Sequence, residues 1–165
     1  MCRPASFVVT KDRVFWSPNG DCHELIISEN ELKESNIRSE IQFVRVEICP
    51  PDEDFRTPLD QWKYRTDQDL LPGWYVESEE EKRVRDILPE WLESKVILPD
   101  QTREIRDKYI VACYGTVEAR GNSTVKACGN STVEAFDNST VEARGNSTVV
   151  AYGNSAVEAY GNSAV

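Results

Sequence analysis

Long apolar runs are missing from this chain. No stretch approaches the ~20 apolar residues that a membrane helix needs, and Met1-Cys2-Arg3-Pro4 leads into a strand-like segment without a signal-peptide core. Membrane insertion and secretion are therefore not expected. Histidine occurs once, at His23, too few for a histidine-rich metal site. The five cysteines (Cys2, Cys22, Cys49, Cys113 and Cys128) are odd in number and form no Cys-x-x-Cys pair, which argues against a disulfide framework or zinc knuckle and for a reduced, cytoplasmic setting. No glycine-rich phosphate loop, Ser/His/Asp arrangement or basic aromatic surface is present. Positive charge is the other deficit: 19 Lys+Arg against 29 Asp+Glu give a net charge of −10. That balance repels a phosphate backbone and disfavours a nucleic acid polymer as partner; solubility alone accounts for it.

What the chain does have is a short period. Six octapeptides follow one another, beginning at Val117, Val125, Val133, Val141, Val149 and Val157, and Val165 starts a seventh. A unit this small cannot bury a core alone and has to stack on its neighbours. Written Val-x-Ala-y-Gly-Asn-Ser-Thr, the octad alternates so that Val and Ala share one side of a strand while Thr, x and y share the other. Gly-Asn supplies a corner of positive φ, with Asp137 replacing glycine once. Turn chemistry also explains the recurring Asn-Ser-Thr triplets without invoking glycosylation.

Coil size follows from side-chain pairing. Two octads per coil, sixteen residues, stack Arg120 on Phe136 on Tyr152 and Cys128 on Arg144 on Tyr160. Three octads would stack Arg120 on Arg144. Stacked strands lie ~4.8 Å apart, where like charges repel and arginine over an aromatic ring gains ~0.5–1 kcal/mol. Sixteen residues per coil is therefore expected, giving a flattened two-sided β-solenoid of roughly three coils. The octads are similar to the Ala-Gly-Tyr-Gly-Ser-Thr-x-Thr units of bacterial ice-nucleation proteins, which implies stacking of the same kind. The second Thr of that pattern is replaced here by Glu118, Glu134, Glu142, Glu158, Lys126 and Val150, a poor template for ice. The array reaches Ala164-Val165 in mid-strand, so end-on pairing with a copy through Val157, Ala159, Tyr160 and Val165 is expected.

All four Trp and all eight Pro lie in residues 1–108, which read as a small α+β domain ahead of a solenoid at 109–165. Phe7–Thr10 and Arg13–Ser17 are expected strands. A helix is expected over Cys22–Lys33, capped by Asp21, with Leu25, Ile26 and Leu32 buried. Ile41–Ile48 and Trp62–Thr66 are further strands. Ser78 and Glu81 suggest a capping box opening a helix whose buried stripe is Val84, Ile87, Leu88, Trp91 and Leu92. Pro89 should kink or divide that helix. Val96–Leu98 reads as a short strand and Thr102–Lys108 as a short helix or linker. The opening Met-Cys-x-Pro-Ala-Ser-Phe-Val-Val-Thr-Lys, the following Val-Phe-Trp-Ser and the His-Glu pair resemble an uncharacterised domain of phage and bacterial proteins. That likeness implies a phage-type origin and brings no known activity or site residue.

Cys2 is the residue best suited to chemistry. Exposed by loss of Met1, it would carry its own α-amine, of pKa ~7.7, as a base in the manner of N-terminal-nucleophile amidohydrolases. His23 would be a general base and Glu24 would orient it. Against this, Arg3-Pro4 lacks the expected glycines, and a buried cysteine with a surface histidine is the plainer reading. His23 with Glu24 and Asp21 is a weak metal set, so neither metal nor cofactor is expected. Trp16, Trp62, Trp74 and Trp91 with Tyr64 and Tyr75 read as core rather than as a ligand pocket. The sequence thus points to a non-enzymatic binding or assembly protein. Its α+β head would recognise a host protein or a small nucleotide signal in the host cytoplasm, and its solenoid would multimerise or space that head. A small Cys2-dependent amidohydrolase or transferase and an ice-binding or structural solenoid are the alternatives.

Overall fold

The computed structural model describes residues 4–165. It contains a compact unit ending at Leu92 and a second over Glu93–Val165. In the first unit β1 (Ser6–Thr10), β2 (Val14–Phe15), β3 (Phe43–Cys49) and β4 (Lys63–Thr66) form an antiparallel sheet of order β2-β1-β3-β4. Helix α1 (His23–Glu29) is shorter than expected, and its N-cap is Cys22. It stops because Glu31 takes a left-handed φ of 52°. The Leu32 N–H then donates to Ile27 O, and the Glu31 N–H to Ser28 O, a Schellman termination with glutamate in the usual glycine position. Ile26 and Ile27 are the buried helix residues alongside His23, while Leu25 and Leu32 are only half-buried.

Helix α2 (Glu77–Lys95) is one continuous helix through Pro89, so the expected division does not occur. It begins two residues earlier than a Ser78 cap requires: the Glu79 and Glu80 N–H groups donate to Val76 O. Glu81 accepts from Arg85 instead. Arg85 also donates to Leu59 O and Trp62 O, tying the helix to the segment leading into β4. Val84, Leu88 and Trp91 are fully buried. Trp91 packs with Phe55 and Trp62, ring centroids 6.1 and 6.2 Å away, so these two tryptophans are core.

The second unit is a β-solenoid. After β5 (Val96–Ile97), β6 (Thr102–Arg106) and β7 (Tyr109–Cys113) come six repeat strands: β8 (Thr116–Arg120), β9 (Thr124–Ala127), β10 (Thr132–Ala135), β11 (Thr140–Ala143), β12 (Thr148–Ala151) and β13 (Ala156–Ala159). They form two parallel sheets, β12-β10-β8-β6 and β13-β11-β9-β7-β5. The register places Val133 beside Val117 and Val149, and Val141 beside Val125 and Val157. Each coil is therefore sixteen residues, and with sheets of four and five strands there are about four coils. The extra coil comes from residues ahead of the octads. Thr102–Lys108 is not a helix or linker; Ile105 pairs in register with Ala119, and Asp107 takes a φ of 52° in the corner place of glycine. The expected boundary at 108/109 thus falls inside the ladder.

Val and Ala line the interior as expected, joined by Ser123, Ser131, Ser139 and Ser147, all buried. These serines lie on the Val-Ala side of the same alternation, and Ser123 and Ser147 return their hydroxyls to carbonyls three residues back. The corner glycines have φ between 62° and 73°, and Asp137 has 60°. At Gly121 a Cβ would lie 2.3 Å from Asp107 Oδ1, so a side chain there would have to displace that carboxylate as well as adopt a positive φ.

Candidate functional site

Register brings charge into the sheet of the α+β unit. Ser6 on β1, Glu47 on β3 and Arg65 on β4 are cross-strand neighbours in one row, and neighbouring side chains in a row share a face. Glu47 is wholly buried, and Arg65 Nη2 lies 2.5 Å from its Oε2 and 3.4 Å from Asp67 Oδ1. The hydrogen bond to Glu47 holds the Arg65 guanidinium above its ordinary pKa range. His23, 1% exposed, places Nε2 3.0 Å from Val46 O and Nδ1 3.6 Å from Asp67 Oδ2. A carbonyl only accepts, so Nε2 carries a proton and Nδ1 is turned to the carboxylate. One donor atom each from His23, Glu47 and Asp67 lie within 4.8 Å of one another. Nearby, Asp21 Oδ1 accepts from the Ser6 N–H and from Trp91 Nε1.

The expected site is rearranged. His23 is buried rather than on the surface. Glu24, its sequence neighbour, is exposed and lies 3.5 Å from Arg45 instead; adjacent helical residues do not share a face. Cys2 lies outside the described residues. Glu47 and Asp67 were not singled out from the sequence. Glu47 had a faint mark there, an acidic residue within the strand Phe-Val-Arg-Val-Glu-Ile, where only a partner makes a carboxylate tolerable.

Two further features offer contacts. A shallow cleft of about 180 Å³ is lined by Lys33, Glu34, Ile41, Phe43, Arg45 and Gln68. On the solenoid, the Arg120 guanidinium lies 4.6 Å from the Phe136 ring centre. Phe136 in turn stacks on Tyr152 at 4.8 Å and 11°, while Arg144 sits over Tyr160. Glu118 stands beside Glu134 in the ladder, and Arg120 relieves the repulsion by pairing with Glu118. Val157 is half-buried, whereas Ala159, Tyr160 and Val165 are exposed. Among the described residues no helix is long and apolar enough to cross a membrane. Comparison with protein-family models, curated proteins and solved structures yields no match to this chain.

Proposed function

We propose that this chain is a non-enzymatic binding and assembly protein of phage type, in which an α+β head recognises a host factor and the β-solenoid spaces or multimerises it. The observation that carries the reading is the strip of Arg120, Phe136 and Tyr152, one side chain per coil on a hydrogen-bonded sheet, with Tyr152 and neighbouring Val150 49% and 41% exposed. Arginine and tyrosine on a rigid support lose little conformational freedom on contact and are the residues that dominate binding interfaces. A protein target is favoured over a nucleotide signal because arginine and tyrosine side chains are enriched at protein interfaces. Self-association rests on β13, an edge strand bonded to β11, whose Val157 and Ala159, with Tyr160 and Val165 beyond them, would meet a second copy.

Sedimentation velocity of the full chain at micromolar concentration tests assembly: a dimer or longer stack is expected, and a strict monomer removes that half of the proposal. Intact mass with a Cys2→Ala variant tests the rest. Unchanged target capture by Cys2→Ala is expected. Loss of function in that variant, together with removal of Met1 from the parent protein, would replace the binding reading with the Cys2 amidohydrolase.

A further inference from the structure

We infer that His23, Glu47 and Asp67 form a binding site for a divalent first-row metal ion. The argument begins with the imidazole. Its Nε2–H is committed to Val46 O at 3.0 Å, the outer hydrogen bond by which a metal-bound histidine is usually oriented. The other ring nitrogen is directed at a carboxylate oxygen 3.6 Å away. Two ligands held ~2.0–2.1 Å from one tetrahedral ion stand about 3.4 Å apart, close to the separation found. Glu47 brings the third donor, all three within 4.8 Å.

Arg65 is the cation now seated against both carboxylates, 2.5 Å from Glu47 and 3.4 Å from Asp67. Its side chain is 52% exposed whereas Glu47 is wholly buried, so the guanidinium is the movable member and the carboxylate the fixed one. An incoming M²⁺ takes its place, and Arg65 swings into solvent. No bond to carbon forms or breaks; the site exchanges one cation for another. The donor set of one imidazole and two carboxylates suits Mn²⁺ or Zn²⁺ better than a thiol-seeking ion.

The test uses the full chain, untagged and stripped by chelator, titrated with Mn²⁺ alone and followed by the loss of free-ion electron paramagnetic resonance signal; Zn²⁺ is then used as competitor. One equivalent should bind. Asp67→Asn, at a partly exposed position, should fold normally and weaken binding at least ~10-fold. Arg65→Met should tighten it by a similar factor, because the competing cation is gone. A merely structural ion network makes the opposite forecast for Arg65→Met: lower stability and no ion uptake. Absence of saturable Mn²⁺ and Zn²⁺ binding in both the parent protein and Arg65→Met would overturn the site, as would binding that Asp67→Asn leaves unchanged.

Discussion

The solenoid and the α+β unit solve the same problem, burying apolar surface, by opposite means. In the solenoid each coil repeats the last, so Val133 has Val117 and Val149 as register partners and every interior position has much the same environment. In the α+β unit no environment recurs: Phe55, Trp62 and Trp91 meet from three separate segments, and Glu47 is tolerated because Arg65 is its register partner. The difference teaches where a substitution should be felt. Damage to a repeat is set by position along the stack, and damage to the other unit by how unusual the lost partner was.

The largest effect should come from Trp91→Ala, which removes a fully buried indole from that three-ring cluster. About 3–5 kcal/mol should be lost, read as a lower denaturant midpoint in tryptophan fluorescence. In the solenoid, Val133→Ala should cost about 2 kcal/mol, while Val157→Ala, at a half-buried position on the edge strand, should cost less than half of that. Equal losses at the two sites, measured by circular dichroism in urea, would break the positional picture. At the corners, Gly121→Ala should destabilise by at least ~1 kcal/mol, because φ is +66° and the new Cβ must also displace the Asp107 carboxylate.

An alkaline titration sharpens the comparison further. Burial pushes the Cys113 thiol from 9.0 up to about 12. The folded state therefore keeps the proton while the unfolded chain releases it. The stability this confers is fully present below pH 9 and falls by about 1.4 kcal/mol per unit between pH 9 and pH 12. Cys113→Ala should flatten the slope of unfolding free energy against pH in that window. Burial also raises the Cys128 thiol, so some slope should remain. The smallest effect belongs to Arg120→Ala: loss of the guanidinium–Phe136 contact should cost about 0.5–1 kcal/mol, visible as a melting shift of about 1–4 °C.

Legibility differed between the two units for the same reason. Arg120, Phe136 and Tyr152 could be stacked on paper, because a fixed period converts sequence distance directly into spatial adjacency. Ser123 and its equivalents were equally readable from the Ser-Thr-Val-x-Ala alternation. Thr102–Arg106 was not, since it joins the ladder without sharing the octad sequence; the visible clue was its own alternation ending at Ile105. In the α+β unit, strands and the α2 stripe followed from local pattern. The Glu31 stop and the unbroken passage through Pro89 did not, because each local preference was overruled by surrounding contacts.

The sequence by itself determined the coil: an eight-residue unit with a positive-φ corner and a charge pattern that tolerates sixteen-residue stacking admits few other packings. Only the tertiary structure decided what surrounds His23. Glu24 is adjacent in the chain yet turned away to Arg45, whereas Asp67 arrives from the end of β4 and Glu47 from the middle of β3. Helical geometry separates neighbours and strand register unites distant residues; a lone histidine among many acidic side chains does not reveal which of them will meet it.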